Sequence, residues 1–454
     1  MIREILYRGP YITDAGLPGE SKAEGFIPHH PGVIRVAPRR WVVLFTTIDP
    51  RGWDAVKSVL YQLRADAPDG PVLASGVMAG SRDDWDPLGR GEHWSKRNGT
   101  PIPFGVPKGA MRNGKPLPTA NHFVAHWYRY AHMWRDGKLL NPVTGRGQAE
   151  WPEGLASHKK VMRLEWTQFR LRDDERDIEI IQPPRVMRQN GYESDLNYCP
   201  FGENFAMNST LTPPVPLNVE HTEWVEFDTF STDHDVHGAH GKMSVAPVRF
   251  RFNQRSGLYE WAETGRSFDL QGRPFGESSI VCLPDGWLLC LRSWGKPQTT
   301  VWFRFDDPFG DLGQPRLEAS GTGPDEGPRL VYRCADGKAR LFGLDRAKSP
   351  TNSRNPMLVW ELDTESLSLS EPRVVVESRA CGLPFQQPYL DMPKLAPPTE
   401  GRQLVLFRAI TRRLGANEEK TEATAAEIAA AGIHYAEIVY DDCPAPGAFF
   451  DPGA

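Results

Sequence analysis

The chain has 454 residues, 39% of them hydrophobic and 24% charged, and a formal net charge of −5 at pH 7. This length accommodates two or three ordinary domains or one large β-propeller, and without a basic excess no nucleic-acid partner is expected. No apolar run reaches the roughly 18 residues of a membrane-spanning helix, so no membrane insertion is expected.

Short apolar runs separated by turn residues predict strands along the whole chain. The first hairpin is predicted from residues 33–36 and 41–45, and two later hairpins turn at Asp285-Gly286 and Asp336-Gly337. An Asp-Gly pair between apolar runs favours a tight hairpin, because such turns need a positive φ. Further strands are predicted at 59–64, 247–252, 257–262, 300–305, 357–362, 403–408 and 434–440.

The spacing of these turns predicts an all-β fold, a β-propeller of about six four-stranded blades, with five to seven left open. The two Asp-Gly turns lie 51 residues apart, close to the length of one such blade. One domain is predicted over residues 1–454. Segments near 80–158 and 187–243 are rich in turn-forming residues and are predicted to be loop insertions.

The two ends of the chain are expected to meet. Residues 417–431 have the composition of a short C-terminal helix, which Gly432 ends. A strand at 435–440 follows, and we expect it to pair with residues 5–7 and close the propeller ring. The first residues lack the apolar stretch of a signal peptide, so a cytoplasmic location is the default expectation.

Polar residues at the ends of strands are candidate site residues, because the loops of a propeller gather at one end of its channel. His29 and His30 precede the first predicted strand, and a histidine can serve as a general acid or base. Asp54 follows the first hairpin, where a carboxylate could protonate a leaving group. The alternatives are exposed histidines on a surface loop and an ordinary turn aspartate.

A second set of candidates lies in the C-terminal half. Glu277 and Arg292 flank the hairpin that turns at Asp285-Gly286, so we expect them side by side, where they could hold a substrate carboxylate or form a structural salt bridge. The guanidinium of Arg354, before another strand, suits bidentate binding of a carboxylate. Tyr389, one blade later, offers a phenol that could act as a nucleophile; an unremarkable position in a strand is the alternative for both.

Neither a metal nor a cofactor is expected. His234, His237 and His240, beside two aspartates, are weak metal candidates, and a polar loop is the alternative. The six cysteines form no CxxC pair, so we expect them to be small buried hydrophobic residues rather than metal ligands or disulfides.

The order of these elements resembles the sialidase superfamily of β-propellers, whose members carry BNR repeats. The resemblance extends over roughly residues 26–410 and rests on Asp54, Glu277, Arg292, Arg354 and Tyr389 in that order. Segment 64–70 is similar to a degraded Asp-box of that superfamily. Where its members have Arg-Ile-Pro in the first blade, this chain has His29-His30-Pro31, and Arg35 follows inside the strand.

The resemblance implies a glycoside hydrolase that cleaves the terminal bond of an acidic, carboxylated sugar. It implies Asp54 as the acid/base residue, Tyr389 as the nucleophile and Glu277 as the base that activates it. Arg292 and Arg354 would be two of three arginines that hold the substrate carboxylate. The expected partner is an oligosaccharide or polysaccharide that carries an acidic sugar.

Two alternatives to this hydrolase remain open. Histidines in place of the first arginine are similar to related propellers that cleave uronate-containing polysaccharides, as lyases or as rhamnosidases. In a lyase, His29 or His30 and Tyr389 would be the acid/base pair, and an arginine would stabilise the developing enolate. His29 and Arg35 are also candidate substrate contacts. The third hypothesis is a non-catalytic propeller that binds glycan or protein.

Overall fold

The computed structural model describes most of the chain. The described residues are 1–49, 55–86, 91, 93–135, 138–140, 163–187, 205–208, 210–231, 243–268, 275–293, 300–313, 316–318, 329–344, 354–383, 388–399, 401–411 and 424–441.

Six antiparallel sheets surround a central channel as the blades of a propeller, which confirms the predicted fold class. Blade 1 consists of Ile27–Ala37, Arg40–Ile48, Val56–Ala65 and Val72–Ala79. Blade 2 consists of Arg82–Trp85, Trp94–Asn98, Ile102–Val106, His122–Arg135, Lys138–Leu140, Arg163–Leu171 and Ile178–Val186. Blade 3 consists of Phe205–Asn208, Val215–Pro216, Glu223–Ser231, Met243–Asn253 and Leu258–Thr264.

The C-terminal half of the chain supplies the other three blades. Blade 4 consists of Phe275–Leu283, Gly286–Ser293, Thr300–Phe305 and Arg316–Glu318. Blade 5 consists of Leu330–Arg333, Ala339–Gly343, Met357–Asp363, Ser368–Leu369 and Arg373–Val376. Blade 6 consists of Pro388–Leu395, Arg402–Thr411, Gly432–Tyr440 and Ile2–Ile12. The smaller elements are the 3-10 helix Lys22–Glu24, the hairpin Met111–Arg112 and Lys115–Pro116, and the α-helix Ala425–Ala430.

The N-terminal strand closes the ring as the outermost strand of blade 6. Ile5 pairs with Ile438 and Tyr7 with Ala436 in antiparallel register, which confirms the predicted meeting of the two chain ends. Because the first and last parts of the chain share one sheet, the hydrogen bonds within blade 6 close the propeller ring.

The hydrophobic core lies between neighbouring blades. Successive side chains of a strand point to opposite faces of its sheet. In the blade 3 strand Glu223–Ser231, Trp224 packs with blade 2, whereas Val225 and Phe227 pack with blade 4. The α-helix covers only a little apolar surface, and within the described ranges no helix has the length and apolar character needed to cross a bilayer.

Several elements differ from the sequence predictions. Segment 187–243, also predicted to be a loop insertion, contains three strands of blade 3, Phe205–Asn208, Val215–Pro216 and Glu223–Ser231. Segment 80–158, whose composition predicts a loop insertion, contains the inner strands of blade 2, because its aromatic residues Trp94, Phe104 and Trp127 fill the spaces between blades. The helix is six residues long, and Thr424 caps it by accepting the backbone N–H of Glu427. Residues 417–423 of the predicted helix lie outside the described residues.

The hairpin of blade 4 turns one residue earlier than its Asp-Gly pair suggests. Leu283 pairs with Gly286, so Pro284 and Asp285 form the turn. Gly286 has a φ of 137°, and a Cβ there would lie 2.9 Å from the carbonyl oxygen of Phe305. A glycine is therefore needed at this position because of both the backbone angle and the close approach of the next strand.

The innermost strands of a propeller run in the same direction along its channel. We call the end at which these strands begin the entry end, and the opposite end, where they finish, the exit end. His29, Glu277 and Tyr389 lie near the starts of the innermost strands of blades 1, 4 and 6, respectively, and therefore at the entry end.

Candidate functional site

Three innermost strands carry the same backbone irregularity at the entry end. The strand register shifts between His29 and Gly32 in blade 1, between Gly276 and Ser279 in blade 4, and between Asp391 and Lys394 in blade 6. Each shift contains one non-glycine residue with a positive φ: His30 at 42°, Glu277 at 49° and Met392 at 54°. These left-handed residues are strained, and such strain is concentrated at functional sites.

The bulge in blade 1 brings its two histidines against Arg408, on the second strand of blade 6. The ring centroids of His29 and His30 are 3.8 Å apart, and both side chains are buried. Nη1 of Arg408 contacts Nε2 of His29 and lies 3.4 Å from Nε2 of His30. A guanidinium only donates hydrogen bonds, so Nε2 of His29 accepts and its proton is on Nδ1.

Both histidines are held in the neutral form. Burial lowers the pKa of His29 well below its ordinary value, and the neighbouring His30 and Arg408 lower it further. Burial also lowers the pKa of His30 well below its ordinary value; Arg408 adds to this effect, and Asp391 only partly opposes it.

Asp391 is the buried anion that organises two arginines. Arg408 donates to its carboxylate from Nε and Nη2, and Arg354 donates from Nη1. Burial by itself would raise the pKa of Asp391, but the charges of Arg408 and Arg354 hold it at about 2. The carboxylate therefore stays ionised across the whole physiological range.

Tyr389 lies beside these two guanidinium groups. The Cζ of Arg354 is 4.7 Å from the centre of the Tyr389 ring and that of Arg408 is 5.8 Å from it. The backbone fixes this arrangement, because the N–H of Leu390 donates to the carbonyl of Arg354 at 2.9 Å. Burial lowers the pKa of Arg354, but the charge of Asp391, with a contribution from Glu277, raises it above its ordinary value.

Glu277 and Arg292 form the blade 4 part of the site. Nη1 of Arg292 donates to Oε2 of Glu277 at 2.6 Å, and the Glu277 side chain is 21% exposed, so this carboxylate remains reachable from the channel. Glu277 also interacts electrostatically with Arg354 and with Lys394. The blade 4 pair and the blade 6 residues therefore belong to one electrostatic cluster.

Lys394 spans the channel from blade 6 to blade 3. Its Nζ donates to the carbonyl oxygen of Leu211, and its side chain is buried. Burial lowers the pKa of Lys394 to about 7, although the nearby Glu277 carboxylate opposes this shift. At neutral pH the amine is thus divided between its charged and neutral forms.

A second carboxylate cluster lies between blades 2 and 3. Glu226 and Asp228 are two residues apart on one strand face, interact electrostatically and are fully buried. Oε2 of Glu226 is 2.9 Å from Nε2 of His126. Burial raises the pKa of both carboxyl groups well above their ordinary values, the Glu226 charge raises that of Asp228 further, and burial lowers the pKa of His126 to about 4.

The structure brings together most of the residues that the sequence singled out. His29, His30, Tyr389 and Arg354 form one contact group, and Glu277 and Arg292 join it through the electrostatic interaction of Glu277 with Arg354. Their roles in binding or catalysis remain predictions.

Arg35 is not part of this cluster. It lies toward the exit end of its strand, where its guanidinium donates to the carbonyls of Ala37 and Pro38 and lies over the ring of Trp41. The predicted contact of Arg35 with substrate therefore has no support from its position. Asp54, His234, His237 and His240 lie outside the described residues.

Sequence reasoning missed Asp391, Arg408, Lys394, His126, Glu226 and Asp228. Each of them is a charged or titratable residue inside a largely apolar strand, as Arg408 is in Leu-Val-Leu-Phe-Arg-Ala-Ile. Such a residue is rarely buried without a partner, so its presence in an apolar run was the available signal. Among the residues that the structure describes, no group of three or more His, Cys, Asp or Glu is arranged to hold a metal ion.

Comparisons with known proteins show the fold. No protein-family model matches the chain, and no curated protein matches it. A protein of unknown function from Dyadobacter fermentans is similar in structure, with a TM-score of 0.53 and 13% identity over 97% of this chain and 99% of that one. The K499G mutant of NanB sialidase from Streptococcus pneumoniae gives a TM-score of 0.51 and 9% identity, over 95% of this chain and 70% of that one.

Trypanosoma rangeli sialidase gives a TM-score of 0.53 and 7% identity, over 97% of this chain and 60% of that one. The chain thus spans less than two thirds of the length of that sialidase. At these identities the likeness concerns architecture alone, and the architecture is that of a sialidase-like propeller with six blades.

Proposed function

We propose that this protein is a glycan-active hydrolase that cleaves the terminal glycosidic bond of a carboxylated sugar. One observation carries the proposal: the guanidinium of Arg354 lies 4.7 Å from the ring centre of Tyr389 and also interacts with Glu277. A phenol, a carboxylate that can accept its proton and a cation that can hold an acidic substrate thus share one end of the channel.

Three arginines are available to bind the substrate carboxylate. Arg292 and Arg354 come from blades 4 and 5, and we propose that Arg408 from blade 6 replaces the arginine that the sialidase superfamily carries in blade 1. Arg408 lies against His29 and His30, the residues that stand at that position in this chain. Because the rings of His29 and His30 are neutral, the positive charge of Arg408 can interact with Asp391 and with the substrate carboxylate.

The first chemical step forms a covalent intermediate. Oη of Tyr389 bonds to the anomeric carbon while the bond from that carbon to the leaving oxygen breaks. The phenol proton passes to Glu277, and the leaving oxygen takes a proton from the acid, the role predicted for Asp54. Water then bonds to the anomeric carbon while the bond from that carbon to Oη of Tyr389 breaks, which releases the sugar. The attacking water gives its proton to the deprotonated acid, and Glu277 returns the phenol proton to Tyr389.

A panel of fluorogenic glycosides of carboxylated sugars, including sialosides and uronides, tests this proposal. We expect turnover of at least one member, a loss of more than about 100-fold in kcat for Tyr389→Phe, and a raised KM for Arg354→Lys. Tyr61→Phe is the matched control, because Tyr61 hydrogen-bonds to Asp177 at the outer side of blade 1 and should leave turnover unchanged. Absence of turnover on the whole panel, or full activity of Tyr389→Phe, would refute a hydrolase and favour a binding propeller.

A uronate lyase is the second candidate, and the neutral state of His30 favours it. Nδ1 of His30 is buried without a hydrogen-bond partner among the described residues, and a neutral imidazole could accept the proton from C5 of a uronate. Tyr389 would donate its phenol proton to the departing O4 as the C4–O4 bond breaks and a double bond forms between C4 and C5. The product absorbs in the near ultraviolet, whereas a hydrolysis product does not, so one absorbance assay on polyuronates distinguishes the two reactions.

A further inference from the structure

The exit end of the channel encloses an apolar cavity that the proposed chemistry does not use. Its volume is about 240 Å³, and the inner segments of all six blades line it. The wall residues include Val33, Phe104, Pro214, Ile280, Arg333 and Leu395. This volume is below the roughly 300–1,000 Å³ of pockets that hold drug-sized ligands, so an occupant would be small.

Most polar groups in this wall are already bonded within the protein. Oγ1 of Thr212 accepts the N–H of Ile280 at 3.3 Å, and the Tyr332 hydroxyl donates to the carbonyl of Pro393 at 3.0 Å. The side-chain amide of Gln403 donates to the carbonyl of Ala396 and accepts the N–H of Ala335. Each of these groups therefore already has a hydrogen-bond partner within the protein.

Arg333 is the exception. Its Nε is buried without a hydrogen-bond partner, and no carboxylate among the described residues forms an ion pair with its guanidinium. The neighbour with which it interacts electrostatically is the half-buried thiol of Cys282. The Arg333 side chain is only partly buried, but its guanidinium lies beside apolar walls without a carboxylate partner among the described residues. An anion that enters the cavity would accept charge-assisted hydrogen bonds from it.

We propose that the exit end is a second ligand site, which binds a small aliphatic carboxylate. The carboxylate would accept hydrogen bonds from Arg333, and a chain of about eight carbons would fill the apolar cavity between Val33, Ile280 and Leu395. This site is separate from the candidate catalytic cluster, because the two lie at opposite ends of the innermost strands.

Isothermal titration calorimetry of the full chain with octanoate, octanamide and acetate tests the assignment. We expect one octanoate per chain, with octanamide and acetate each at least tenfold weaker, because one lacks the charge and the other lacks the apolar chain. Arg333→Gln should weaken octanoate about tenfold to 100-fold and leave octanamide unchanged, consistent with the usual strength of charged hydrogen bonds. Equal binding of octanoate and octanamide, or no octanoate binding at millimolar concentration, would overturn the proposal.

Two further variants control for the position of binding. Arg304 lies at the same end of the molecule, but its guanidinium already donates to Asp285 and to the carbonyl of Thr364, so Arg304→Gln should leave octanoate affinity unchanged. Arg354→Gln should also leave it unchanged, and a loss there would assign octanoate to the entry end and refute a second site. If Arg333→Gln does not fold, as judged by circular dichroism, Arg333→Lys and the ligand series on the unmodified protein decide the question.

Discussion

Asp391 in blade 6 and the pair of Glu226 and Asp228 in blade 3 are all buried carboxyl groups near the channel, but their surroundings differ. Two guanidinium groups, of Arg354 and Arg408, donate hydrogen bonds to Asp391. The blade 3 pair is in contact with a neutral imidazole and with itself. Burial acts in the same direction on all three groups, yet the pKa of Asp391 falls to about 2 while those of Glu226 and Asp228 rise.

This difference shows that the cations, rather than the depth of burial, decide which carboxyl group is charged. Asp391 can therefore hold two arginines in a fixed orientation at every physiological pH. In the blade 3 pair, burial raises both pKa values and so favours the protonated form of each carboxyl group. The predictions below test this contrast.

The largest effect is expected from Asp391→Asn. Removing this charge leaves two guanidinium groups close together without the buried anion that they share, so we expect the free energy of unfolding to fall by about 3–5 kcal/mol. Urea unfolding monitored by tryptophan fluorescence measures the change. Asp363→Asn, at an exposed turn, is the control and should change stability by less than about 0.5 kcal/mol. A loss below about 1 kcal/mol for Asp391→Asn would contradict the assignment of Asp391 as the anion that holds both arginines.

Lys394→Met should change how the free energy of unfolding varies between pH 7 and pH 10. The pKa of Lys394 is lowered to about 7 in the folded protein, so between pH 7 and pH 10 the unfolded chain binds more protons and this group adds stability as pH rises. We expect the unmodified protein to gain about 2 kcal/mol or more relative to Lys394→Met across that range. If the free energies of unfolding of the two proteins change in parallel between pH 7 and pH 10, Lys394 remains charged in the folded protein.

The double variant Glu226→Gln, Asp228→Asn tests the blade 3 pair between pH 4 and pH 8. In the unmodified protein, this pair should lower the free energy of unfolding as pH rises, whereas Lys394 raises it. Because both pKa values are raised on folding, the pair contributes its full stability below about pH 4 and loses it as pH rises through the folded pKa values. The variant, which cannot lose these protons, should therefore be less sensitive to pH between 4 and 8, by more than about 1 kcal/mol. Identical pH profiles in thermal unfolding would mean that the two carboxyl groups ionise freely.

The smallest effect is expected at the surface pair of Arg39 and Asp66, whose side chains are 74% and 52% exposed. Solvent screens this interaction, so Arg39→Gln should cost no more than about 0.5 kcal/mol, and added salt should abolish even that difference. A loss comparable to that of Asp391→Asn would remove the distinction between buried and exposed charges on which the contrast depends.

Much of the architecture could be predicted from local sequence signals. Alternating apolar runs and Asp-Gly pairs identify hairpins, because period-two burial and turn geometry are properties of neighbouring residues. Segment 80–158 misled the prediction, because Gly and Pro at its strand ends look like loop residues while Trp94 and Trp127 are buried between blades.

The site could be predicted only where its residues lie at strand ends. Glu277, Arg292 and Tyr389 follow from the direction of their hairpins. The contact of Arg408 with His29 joins residues 379 positions apart, and it depends on blade 6 lying next to blade 1, which ring closure determines. No local pattern contains that information.

The left-handed residues at His30, Glu277 and Met392 have a consequence for protein engineering. Three chemically unlike side chains already occupy the same bend in blades 1, 4 and 6, so the bend itself does not depend on which group it presents. His30 and Glu277 belong to the candidate site, whereas Met392 packs in the hydrophobic core, so the bend accepts both polar and apolar side chains. Exchanging the residues at positions 30 and 277 offers a route to new substrate preferences without redesigning any blade.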